Sequence, residues 1–448
     1  MTREATDTRT LLLEGAYVLS LDDSGTAGRL SVAVSGGDII GIGPATDMRR
    51  RFSSAVRVSC RGRILMPGLV NAHLHPDLHV LKGALEQRNL HDWRAAHRFN
   101  AAADYLDTED GARIRQVAVR ASLAEAVLGG TTCVGTYGVS AGSERQCEQT
   151  LVEFGMRGTI TIRDTAFEPI TRGDGATGSA WHRPVRAMYR LHAEERLDEA
   201  ELTAAARAHE RGEHIVMHAA ETAERLAIVR RQFGTTTIRL LERYGLLSPR
   251  MLLSHAVFVD DEEIRLMATR GVNVVVSPAA EMKLADGIPP VQDMQRAGVT
   301  VALGTDAAVC NNATDMFLEM RVLGLSQKMR YGAAAAPAEQ ILLMATRDGA
   351  AALGGAGRFG CIAEGMAADM ILVNTRNPRM QPLVLDEADS NLMANLVYAA
   401  TASDVTDVMI GGRWVVRRRR LLATDAHRIW RELERAAHTL HSRLTAMT

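Results

Sequence analysis

The sequence predicts an α/β chain, a (β/α)8 barrel with a small β-sandwich formed from both chain termini. Three observations point to it. Between residues 66 and 360, eight short apolar runs alternate with segments of helical spacing, as in a parallel sheet with helices outside it. β-rich stretches occupy both ends of the chain. The 448 residues, 46% apolar and 23% charged, provide enough chain for a barrel and a second unit.

Residues 1–65 read as short strands: TLLLEGAYVLSL, RLSVAVSGGDIIGIG and AVRVSCRGRIL are broken by Gly, Asp and Ser. Within 66–360 the barrel strands are ILMPGLVNAHLH, TTCVGTY, GTITIRD, RAMYRLH, EHIVMH, RMLLSH, VNVVVSP and VTVALGTD. Residues 361–424 return to β character in ADMILVN and DVMIGGRWVV, with Gly411 and Gly412 as a hairpin turn. Asp369 reads as a turn residue there. Residues 425–448 form a helix capped by Asp425, with Ile429, Leu433, Ala436, Leu440 and Leu444 spaced for one apolar face packed on its own protein.

The formal net charge is −1, from 52 basic and 53 acidic residues. This speaks against a nucleic-acid or anionic-membrane binder, which carries a basic excess. Cys60, Cys133, Cys147, Cys310 and Cys361 are scattered, form no C-x-x-C pair, and suit a reducing compartment. No secretory signal or spanning segment is read. The expectation is a soluble cytoplasmic protein acting on a small molecule.

His73 and His75 lie two apart on the first barrel strand and so point to one face. His218, His255 and Asp306 end three further strands, and Glu221 follows His218 by three positions. Strand ends in such a barrel converge on one face, where active sites lie. Imidazoles with a carboxylate and no thiolate suit one divalent ion, zinc first and ferrous iron second. Water on such an ion acidifies toward a pKa of roughly 7, and a neighbouring acid can move its proton. Asp306 and Glu221 are the acids at hand, so this is a hydrolytic constellation.

With PGLVNAHLH, MHAAETAE, LSHAVFVDDEEI, KLADGIPPVQDMQRAGVTVALGTD, NNATDMFLEMR, PAEQILLMATRDGAAALGG and EGMAADMILVN in order, the chain resembles the amidohydrolase superfamily. The branch is that of N-heterocycle deaminases and triazine chlorohydrolases. The resemblance implies His73, His75, His218 and Asp306 as metal ligands. It implies Glu221 as acid/base and substrate contact, His255 as orienter of water, and Asp306 as proton acceptor. It also implies a homodimer. The reaction it implies is release of ammonia from an amino-substituted N-heterocycle. Hydrolysis of a cyclic amide, a guanidine-type C–N bond or a heteroaryl C–Cl bond is the alternative. Binuclear members bridge two metals with a carboxylated Lys on strand four. Here no Lys lies between Lys82 and Lys283, which favours a single ion.

The pocket departs from the nucleoside enzymes. Their ribose-binding Glu, nine residues after a Trp, is Ala102 following Trp93, and their H-A-P-Y-T segment reads HAEER at 192–196. His192, Arg163 and Glu281 are the candidate substrate contacts, Glu281 because a pocket carboxylate suits an amino or guanidino group. His79, His91 and His97 read as solvent-facing.

Overall fold

The structure is a computed structural model describing residues 9–84, 86–140, 142–163, 185–385 and 390–446, apart from the side chains of residues 93, 94, 97, 98 and 446. Eight parallel strands form its central sheet: β1 (Leu69–Leu74), β2 (Thr131–Thr136), β3 (Arg157–Ile162), β4 (Val185–Arg190), β5 (Ile215–Ala219), β6 (Met251–His255), β7 (Asn273–Val276) and β8 (Thr300–Leu303). They neighbour one another in chain order. The backbone amides of Thr305 and Asp306 both donate to the His73 carbonyl, at 3.0 and 2.9 Å, and draw β8 onto β1. The sheet is thereby a nearly closed (β/α)8 barrel, as the alternation predicts. Strands such as β5 (IVMHA) and β6 (MLLSH) are buried at every position, because helices cover the outside and side chains fill the inside.

Gly304 makes the seam possible. A Cβ there would stand 2.7 Å from the His73 Cβ and 2.9 Å from its carbonyl oxygen, which leaves no room for a side chain.

Both ends of the chain build the accessory sheets. A seven-stranded sheet joins Tyr17–Leu19, Ala27–Gly28 and Arg63–Pro67 to Met370–Asn374, Val405–Ile410, Arg413–Arg417 and Arg420–Leu421. A four-stranded sheet holds Leu11–Glu14, Ser31–Ser35, Asp38–Gly43 and Val56–Ser59. Leu13, Val32, Val34, Leu65, Met370 and Leu372 belong to one buried cluster that draws on both sheets. The predicted strand ILMPGLVNAHLH divides at Gly68: its first half lies in the seven-stranded sheet, its second half is β1. Both halves are buried, so their hydrophobicity alone does not show the break.

Asp369 is no surface turn residue. It is 2% exposed and grips Arg157 of β3 through contacts of 2.5 and 3.2 Å, while the Gly411 amide donates to it at 2.7 Å. This pair fastens the seven-stranded sheet to the barrel. The terminal helix Ala426–Ala446 packs on its own chain, with Ile429, Ala436, Leu440 and Leu444 buried against the helices Glu109–Leu128 and His97–Leu106.

Candidate active site

His73 and His75 share one face of the end of β1, and His218 and His255 sit at the ends of β5 and β6. Asp306 lies three residues beyond β8. One donor atom from each of His73, His75, His218 and Asp306 lies within 4.8 Å of the other three. His75 Nε2 is 3.3 Å from His218 Nε2 and 3.1 Å from Asp306 Oδ1, and His73 Nε2 is 3.6 Å from the same oxygen. Four donors around one zinc ion at ordinary bond lengths stand about 3.3–3.4 Å apart. The observed spacings bracket that value. His73 Nε2 is also buried with no hydrogen-bond partner, a state that a buried polar atom rarely keeps without a ligand. The donor set fits a divalent cation.

The electrostatics agree. Burial drives His73 and His255 down to about 4 and His218 well below its ordinary value, so these imidazoles are neutral at pH 7. Burial opposes ionisation of Asp306, but the rings of His73 and His75 outweigh it and hold its carboxyl well below the usual range. Neutral imidazoles beside an ionised carboxylate are the states that coordinate metal. The Ser254 hydroxyl of β6 lies 3.1 Å from His73 Nδ1 and fixes that ring from behind.

The backbone is unusual where these residues sit. Ala220, His255, Ala256 and Asp306 take positive φ of 50°, 78°, 50° and 57°. Non-glycine residues avoid that region at some energetic cost and persist there where the surroundings enforce it, which is common at functional sites.

Glu221 is buried, with Oε1 3.7 Å from His255 Nε2. Arg225, one helical turn on, donates to Glu221 and also meets Glu195 at 2.9 Å. Glu281 is placed differently from the sequence expectation. It is fully buried, is absent from the cleft wall, and its Oε1 lies 3.2 Å from His255 Nδ1 and accepts from the Ser277 amide at 2.8 Å. Burial pushes it up to about 8. With Nδ1 engaged by Glu281, the ring nitrogen of His255 left for the cleft is Nε2, buried with no hydrogen-bond partner. Nothing in the local sequence reveals this pairing, since 26 residues separate the two.

A cleft of about 230 Å³ opens over His75, His218 and Asp306. Leu78, Leu90, Phe99, Tyr137, Val139 and Leu284 give it an apolar wall. His192 and Arg163 both line it. His192 is held by Glu201, which accepts from its backbone amide at 2.7 Å and meets Nδ1 at 2.9 Å. Ala102 is 1% exposed and adds no polar group to the cleft. His79 is buried rather than solvent-facing, 3.3 Å from Glu125; His91 is exposed, and the His97 side chain lies outside the described residues. Sequence reading missed Tyr137, Ser254, Arg190, Arg196 and Arg225. Only Arg225 carried a local signal, four residues after Glu221 on a helix start.

Known proteins are similar to this chain over nearly its whole length. A 5-methylthioadenosine/S-adenosylhomocysteine deaminase of Syntrophobacter fumaroxidans is 32% identical over 443 residues, 96% of this chain and 98% of its own length. A 5'-deoxyadenosine deaminase of Methanosarcina mazei is 30% identical, covering 97% and 99%. The crystal structure of an adenosine deaminase from Xanthomonas campestris with bound zinc superposes with a TM-score of 0.86 at 29% identity, covering 96% and 98%. An atrazine chlorohydrolase from Arthrobacter aurescens shares the fold, with a TM-score of 0.83 at 21% identity, covering 95% and 100%. The model of the amidohydrolase family matches residues 64–415, a span that runs from the last strand before the barrel through every donor named above, and the chain belongs to that family.

Proposed function

We propose that this chain is a metal-dependent deaminase that releases ammonia from an amino-substituted N-heterocycle. The observation that carries the reading is the convergence of His73, His75, His218 and Asp306 beneath a cleft also lined by Glu221. The amidohydrolase relatives named above are deaminases of adenosine derivatives, which supports the same bond.

His73, His75, His218 and Asp306 would hold the cation, which when bound supplies a water acidified toward a pKa of about 7. Zinc is our choice over iron, in keeping with the zinc-bound relative. The heterocycle lies along the Leu78, Leu90 and Phe99 wall. Asp306 accepts the proton that the water gives up as its oxygen adds to the amino-bearing C=N carbon. Glu221 takes up that proton and delivers it to the adjacent ring nitrogen, then relays the proton of the newly formed hydroxyl to the departing amine. His255, fixed by Glu281, orients the water through Nε2. The C–N bond breaks, ammonia leaves, and the ring carbon becomes a carbonyl.

The guanidine-type or cyclic-amide alternative rests on Glu281 and on the altered 192–196 segment. With Glu281 turned to His255, only the second still speaks for it. A homodimer and a cytoplasmic setting complete the proposal; no helix of the described residues is long and apolar enough to cross a membrane.

The test is ammonia release by zinc-loaded protein from aminopurines, aminopyrimidines and aminotriazines. Glu221→Gln is expected to keep one metal ion per chain and lose about 10³-fold or more in kcat. His73→Ala is expected to lose both metal and turnover. Activity within tenfold of the parent in Glu221→Gln overturns the mechanism.

A further inference from the structure

The cleft above the donors holds more positive charge than it neutralises. Arg163, Arg190, Arg196 and Arg225 line it, against two carboxylates, Glu221 and Asp306. Arg225 is matched by Glu221 and Glu195, and Arg163 lies 3.8 Å from Glu201. Arg190 and Arg196 are not matched. The Arg190 guanidinium lies 5.4 Å from the centre of the Tyr137 ring and donates to the Gly138 carbonyl, a neutral acceptor, while its Nε is buried with no partner. Arg196 sits exposed at the rim. Among the described residues neither meets a carboxylate.

A half-buried guanidinium held over an aromatic ring, with an idle donor, is costly unless an anion completes it. Guanidinium is also the group best shaped to take a planar or tetrahedral oxyanion with two parallel hydrogen bonds. The two arginines flank His192 in the chain, one at the end of β4 and one on the turn that follows, and all three line the same cleft. Leu78, Leu90, Phe99 and Leu284 line the same cleft and suit a flat ring.

We propose that Arg190 and Arg196 form an anion subsite, and that the substrate is an amino-heterocycle bearing a carboxylate or phosphate on a substituent. This rests on the deaminase reading and narrows it, because a neutral nucleoside leaves both guanidiniums unanswered.

The experiment uses zinc-loaded full-length protein and matched sets: adenosine with its 5'-carboxylate and 5'-phosphate, and the corresponding cytidine and aminopteridine compounds. In at least one set the charged member is expected to exceed its neutral partner in kcat/KM by about 30-fold or more, mainly through KM. Whether carboxylate or phosphate leads identifies the anion. In Arg190→Gln/Arg196→Gln that ratio falls to about 1, and in the single variant Arg196→Glu, at an exposed site that leaves the fold alone, it drops as well. Equal turnover of charged and neutral members by the parent protein overturns the proposal, as does a ratio unchanged in the variants. If no set yields ammonia, the deaminase reading fails by itself. The subsite is then judged by calorimetric titration with benzoate and phenyl phosphate. Binding abolished in the double variant supports it; equal binding to both proteins, or none to either, overturns it.

Discussion

Removing the Glu281 carboxyl is expected to free the His255 ring to turn. Glu281→Ala should lower kcat about 10- to 100-fold with KM little changed, since a residue that fixes a functional histidine from behind acts on the reacting geometry rather than on binding. Glu281→Gln keeps an acceptor for both His255 Nδ1 and the Ser277 amide and should restore most of the rate. Steady-state kinetics of the two variants checks this; equal losses in both would show that the hydrogen-bond acceptor is not what Glu281 supplies. His73, His75, His218 and Asp306 were legible because a donor at the end of a barrel strand has one place to point. Glu281 was not, because position in the chain says which loop a side chain stands on and not whether it faces the cleft or the ring behind it. Arg190 and Arg196 were hidden for a related reason: arginine supplies nearly all the positive charge of this chain, and one more drew no notice.

Elements are tied together by ion pairs, some buried and some at the surface. Asp369→Ala strands the Arg157 guanidinium, 7% exposed, between the barrel and the seven-stranded sheet. A cost of about 3–5 kcal/mol follows from leaving such a charge unpaired, to be read as a lower urea midpoint. A second tie is the Glu125 carboxylate of the helix Glu109–Leu128, which meets His79 at 3.3 Å and Lys82 at 2.9 Å and accepts from the Thr314 amide at 3.1 Å. Burial pushes Glu125 up, but His79 and Lys82 outweigh it and hold it at about 2, against an ordinary 4.5. Its stabilisation is therefore present above pH 4.5 and lost as the pH falls toward 2. The amount is on the order of 2–3 kcal/mol. Glu125→Gln should show a flatter acid limb when urea midpoints are followed from about pH 5 downward. The eight barrel strands were readable because a strand covered on both faces is a plain apolar run. The break at Gly68 escaped the same reasoning, since a run that leaves one sheet and enters another stays apolar throughout.

For the molecule as a whole, strand ends and backbone bonds place the four donors, so the barrel is expected to stand without the cation. Chelation is expected to abolish activity and leave the far-ultraviolet circular dichroism unchanged. It should lower the melting temperature by removing a ligand of the native state, worth about 4 kcal/mol at a free concentration a thousandfold above Kd. Zinc addition should restore both. Loss of helical signal on chelation would show instead that the ion builds the barrel.

His73 and Asp306 stand on opposite sides of the seam, 233 positions apart in the chain (306 − 73) and joined by the amides that Thr305 and Asp306 direct at one carbonyl. Three of the four donors, His73 and His75 on one side and Asp306 on the other, therefore come together only when the first and last staves of the ring meet. Tight uptake of a coloured ion such as cobalt during renaturation would thus clock that meeting, and a chain arrested with its ring ajar would stay colourless.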